Sequence, residues 1–106
     1  MDHTCKMTEL KKGIAEISAI LEAPEPNTDM EGLLVRTGQM FAEAEYILVQ
    51  KRASVLDVML ERKPGMSANE QKVKVDAKCA REAKLVRQIE QINKALGIIV
   101  ANRGKK

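Results

Sequence analysis

Aromatic residues are almost absent. Phe41 and Tyr46 are the whole complement in 106 residues, 2% of the chain, and there is no tryptophan. That excludes a ring-rich β-sandwich core and a nucleic-acid module built on base stacking. Only three prolines and six scattered glycines are present, so collagen-like and low-complexity classes are excluded, and no glycine-rich loop is available to cradle a phosphate. The two cysteines, Cys5 and Cys79, lie far apart and form no CxxC pair. They read as reduced thiols rather than as a disulfide framework. Cys79, on a lysine-rich helix, would gain reactivity if cations lowered its pKa, but no histidine is at hand to serve as its base, and a structural thiol is the expectation.

Histidine is equally scarce. His3 is the only one, and His3 with Cys5 supplies two of the four ligands that a structural zinc site needs, so no metal is expected. The di-iron pattern Glu-x-x-His does not occur, and Glu43 and Glu45, two apart, point to different sides of a helix. No catalytic residue, cofactor site or enzymatic activity is expected. No apolar run approaches the ~20 residues of a membrane span, and residues 1–20 lack the pattern of a secretion signal. A cytoplasmic location and no membrane partner follow as expectations.

What is present is helix-forming chemistry. Ala, Leu, Ile, Val, Met, Glu, Lys, Arg and Gln dominate, with 44% hydrophobic and 31% charged residues. The net charge of +3 is unevenly spread: residues 1–29 carry three basic against six acidic side chains, residues 30–63 balance five against five, and residues 64–106 carry ten against four. An anionic partner would meet the C-terminal third first.

The patterning predicts one all-α domain over 1–106, a short N-terminal helix followed by a long antiparallel helical hairpin. Residues 1–7 read as a leader. Thr8 caps a helix over 9–22, with Leu10, Ile14, Ile17 and Leu21 on one stripe. Pro24 and Pro26 break it. Thr28-x-x-Glu31 reads as a capping box opening a helix over 29–63, and Pro64-Gly65 stops it. Its seam is Met30, Leu34, Thr37, Phe41, Ala44, Leu48, Lys51, Val55 and Val58, in 4-3 spacing. Ser67-x-x-Glu70 opens a third helix over 68–102, thin at first (Val73, Ala77, Ala80, Ala83), then strong (Leu85, Ile89, Ile92, Leu96, Ile99). Folding back at the tip sets Val58 against Val73 and Leu34 against Leu96. A three-helix cluster is expected at the open end and a two-helix arm at the Pro-Gly tip.

Two interaction surfaces follow. Leu33, Met40, Ile47, Leu56 and Met59 flank the seam and are candidate oligomer-interface residues; a two-fold dimer would complete a bundle along the arms, unless the first helix covers part of that face. Lys74, Lys78, Arg81, Lys84 and Arg87, continued by Arg103, Lys105 and Lys106, form a basic ridge and tail suited to phosphates. Interleaved Asp76, Glu82 and Glu90 would instead make it a solvated face.

The run Ala42-Glu43-Ala44-Glu45-Tyr46, the Pro-Gly tip, Ser67-x-x-Glu70-x-Lys72 and a long Lys/Ala helix with a basic tail together resemble small helical-hairpin proteins of phages and integrated mobile elements. The likeness covers residues 30–106 and implies an accessory role in DNA metabolism. The function expected from the residues themselves is that of a non-enzymatic interaction or scaffold protein, homo-oligomeric and with another protein as partner; nucleic-acid binding is the alternative.

Overall fold

A computed structural model describes residues 3–103. Among them are four helices and no strand: α1 (Thr4–Glu22), α2 (Met30–Arg62), α3 (Ala68–Lys78) and α4 (Ala80–Arg103). The all-α class holds, and the helices depart from expectation chiefly at the start of α1, the cap of α2 and Cys79.

Helix α1 starts at Thr4 rather than Glu9. The Met7 N–H donates to His3 O at 2.9 Å, and Thr8 sits inside the helix with its Oγ1 donating back to Thr4 O at 2.9 Å. Burial explains the extra turn: Met7 is buried and lengthens the apolar stripe of Leu10 and Ile17 by one position. Helix α2 is capped by Asp29, whose carboxylate accepts from the Gly32 N–H at 2.9 Å. Thr28 instead donates from Oγ1 to Glu25 O at 2.8 Å, closing the Pro24–Pro26 turn. Ser67 does cap α3, accepting from the Glu70 N–H at 3.2 Å.

The expected third helix is interrupted at Cys79, which leaves helical geometry at φ −104° and ψ 13°. The kink costs little hydrogen bonding, since Cys79 N–H still reaches Val75 O at 3.0 Å and Cys79 O still accepts from Ala83 N–H at 2.9 Å. It falls where α1 begins to pack: α4 has both α1 and α2 as neighbours, with Arg81 and Glu82 beside the start of α1, whereas α3 has only α2 and the start of α4.

Helix α2 runs antiparallel to α3 and α4. Arg52 pairs with Asp76, Lys63 with Glu70, Asn93 reaches Thr37, and Arg103 Nη1 donates to Thr28 O at 3.3 Å. Helix α1 lies back along the open end of α2, held by Lys6–Glu43 at 3.1 Å and Arg36–Glu16 at 3.1 Å. Gly13 eases this approach, because a Cβ there would come within 2.9 Å of Met40 Cε. The result is elongated, 59 × 27 × 18 Å. No helix among the described residues is long and apolar enough to cross a membrane.

The facing residues of the arm differ from those the spacing suggested. Val58 and Val73, expected to meet, are 46% and 60% exposed, and Ala77 and Ala80 are exposed as well. The buried row is Val75, Cys79, Glu82, Val86, Ile89 and Leu96, joined by half-buried Asn93. That row keeps 4-3 spacing throughout, but Glu82 and Asn93 are polar members that hydrophobic patterning passes over.

Candidate interaction surface

The five flanking residues do not share one open face. Met40 and Ile47 are 8% and 3% exposed, and both belong to the chain's own core, Met40 beneath α1 and Ile47 beside Met7. Leu33 is half-buried against the same core. Helix α1 has therefore taken up this side of α2, and these three positions offer little to a second molecule. Leu56 and Met59 stand on the arm, half-buried, each on the wall of a different groove between α2 and α3.

One groove, of roughly 450 Å³, is lined by Ala53 and Leu56 of α2 and by Ala68, Gln71, Lys72 and Val75 of α3, with the Arg52–Asp76 pair at its edge. The other, of similar size, has Met59, Met66 and Ala77 as its apolar lining and Arg62, Lys63, Lys74 and Lys78 around it.

Beside the first groove runs a stripe that sequence reasoning missed. Val35, Tyr46 and Val49 are 61%, 59% and 60% exposed. Ala42 and Ala53 are also exposed, while Leu56 and Leu60 are half-buried. From Ala42 to Leu60 these residues follow 4-3 spacing with no charged member, the pattern of a helix that packs against another helix. The signal was present in the spacing. It was masked because α2 carries a heavier seam on its opposite side, and alanines at two of the positions made this one look weak.

The basic residues divide at the Cys79 kink. Lys74 is engaged, its Nζ 3.2 Å from Glu70, which also holds Lys63 at 3.1 Å. These two ammonium groups, Lys63 first, pull the Glu70 carboxyl below its usual range. Lys78 closes α3 on the rim of the second groove. Arg81 begins α4 and lines a small polar cleft with His3, Lys51 and Glu82. Lys84 and Arg87 are exposed further along. The acidic neighbours are occupied elsewhere: Asp76 pairs with Arg52, Glu90 with Lys94 at 2.8 Å, and Glu82 is buried. Lys78, Arg81, Lys84 and Arg87 have no ion-pair partner among the described residues. Arg103 closes the open end of the bundle through Thr28, while Lys105 and Lys106 lie outside the described residues.

Cys79 is fully buried. Burial foremost, then the nearby Glu82, pushes its thiol above the ordinary range, against the opposing pull of Arg52 and Lys51. Its position is that of a packed thiol. Cys5 is exposed. No three His, Cys, Asp or Glu side chains come together among the described residues to hold a metal. Comparison of the chain with protein-family models, curated proteins and solved structures finds no match.

Proposed function

We propose that this chain is a non-enzymatic helical interaction protein whose docking face is the solvent side of α2. A single exposed valine on a helix is ordinary. The supporting observation is the ordered run Ala42, Tyr46, Val49, Ala53, Leu56 and Leu60, an unbroken 4-3 stripe beside an open groove. The expected dimer thereby moves from the α1 side of α2 to its opposite side. Sedimentation across the micromolar range tests this. Concentration-dependent association that Val49→Glu abolishes, with helicity unchanged, supports the reading; association indifferent to that substitution removes it.

A second reading rests on a separate observation. Lys78, Arg81, Lys84 and Arg87 form a run of cations without carboxylate partners among the described residues. Such a run suits a phosphate backbone, and the resemblance to phage and mobile-element hairpin proteins carries the same implication. In this reading the protein is a nucleic-acid-binding accessory. Fluorescence anisotropy with single- and double-stranded DNA is the test. Affinity should fall steeply with salt and weaken in a Lys78→Ala, Arg81→Ala, Lys84→Ala variant whatever the DNA sequence. Affinity insensitive to both contradicts it.

A further inference from the structure

We infer that the occupant of the α2 stripe is a second copy of this chain, packed antiparallel about a two-fold axis, with Tyr46 of each copy seated in the groove between α2 and α3 of the other. The inference rests on the reading of α2 as a docking face and adds the partner and its geometry.

Reversal of the stripe against itself is what selects a second copy. With the axis beside Lys51, Ala42 faces Leu60, Val49 faces Ala53, and Tyr46 faces Leu56. The first two layers set a small residue against a larger one, as interdigitating helices require. The third sets large against large, and it falls where the surface opens. Leu56 is on the wall of the groove of roughly 450 Å³ whose other residues include Ala68, Gln71 and Val75. A phenol ring entering there meets apolar walls, while its hydroxyl has Gln71, Lys72 and Asp76 nearby on the same groove. Tyr46, the one strongly exposed aromatic of the described chain at 59%, gains a site that its own chain does not offer.

The area is close to what a stable dimer needs, and the like charges that would face each other are partly offset within each chain. In this register α2 overlaps its copy from about residue 40 to Arg62, about 35 Å, and half the surface of a cylinder of that length and ~11 Å diameter is roughly 600 Å². The α3 wall of the groove adds to this and brings it toward the ~800 Å² per partner of a standard interface. Two of the charged residues beside the seam are already paired within each chain. Glu43, which would face Asp57 of the second copy, holds Lys6 at 3.1 Å, and Arg52, which would meet its counterpart near the axis, holds Asp76 at 3.5 Å. The two arms, each unpaired in its own chain, then lie along the three-helix bodies of the opposite copies.

Two full-length variants in a Cys5→Ser background test the geometry, one with Val49→Cys and the other with Ala53→Cys. Oxidation of the mixture should give a cross-linked dimer containing one copy of each, while neither variant alone should cross-link, because like positions lie too far apart for a disulfide. Tyr46→Ala should weaken the wild-type dimer about tenfold or more, and Tyr46→Phe should retain it, since the ring supplies the burial. Circular dichroism on each variant checks that the helices persist. Cross-linking of Val49→Cys alone means a parallel pairing or a shifted register and overturns the inference while leaving the docking face intact. A dimer indifferent to Tyr46→Ala overturns the placement of the ring. A wild-type protein that stays monomeric throughout the micromolar range overturns both this inference and self-association through α2.

Discussion

Asn93 ties α4 to one position along α2. Its Nδ2 donates to Thr37 Oγ1 at 2.8 Å and to Leu34 O at 3.2 Å, and Thr37 Oγ1 donates to the same carbonyl at 3.0 Å. Thr37 is 1% exposed, so this polar layer lies within a mostly apolar seam, where a slipped register would strand its members. Asn93→Ala removes a donor from buried Thr37 and should cost about 1–3 kcal/mol in denaturant unfolding. The pair Thr37→Val with Asn93→Leu should recover most of that stability, because no polar group is then left unsatisfied. A single variant as stable as wild type would contradict this account of the register. Residues of this kind are also where the sequence was least legible. Thr37 could be placed on the seam by spacing alone, but Asn93, Glu82 and Cys79 share the facing row without advertising it. Nothing in the spacing distinguishes a buried glutamate from a solvated one.

At the scale of elements, the breaks were legible because their chemistry is local. Pro24 and Pro26, Pro64-Gly65 and the Ser67 cap stand where helices end or begin. The kink at Cys79 and the early start of α1 were not, since both depend on what the helix packs against. The glycines show the same division. Gly97 has open space where a Cβ would go, so Gly97→Ala should stabilise the chain by about 0.5–1 kcal/mol through helix propensity. Gly13→Ala should gain less, because its methyl group would meet Met40 Cε at 2.9 Å and the end of that side chain must shift within the α1–α2 contact. Thermal denaturation of the two variants compares them directly, and equal gains would contradict the close approach of α1. The arm tip adds a pH dependence. Lys63 and Lys74 lower the Glu70 pKa below its unfolded value of 4.5. Their stabilisation is therefore complete above that value and is lost as pH falls through the folded pKa. The small deficit expected for Glu70→Gln in denaturant midpoint should appear at neutral pH and vanish in acid; a deficit that persists in acid would point to another cause.

Across the whole molecule, α1 decides which face of α2 remains available. It covers the side holding Met40 and Ile47, supported by Lys6–Glu43 and Arg36–Glu16, and leaves the side holding Tyr46 and Val49 bare. Patterning showed one apolar face of α2 broader than a seam needs, yet it gave no means of telling which part of it α1 would cover. Helical periodicity reports which residues share a face and says little about which neighbour that face meets. The basic run from Lys78 to Arg87 lies on α3 and α4, so occupation of the α2 stripe and engagement of an anionic partner would draw on different residues. The most direct test of the central claim is sedimentation equilibrium of the wild-type chain and its Val49→Glu variant over the same micromolar range. The account predicts a wild type that self-associates with rising concentration, beside a fully helical variant that remains monomeric. Identical behaviour of the two proteins would contradict it.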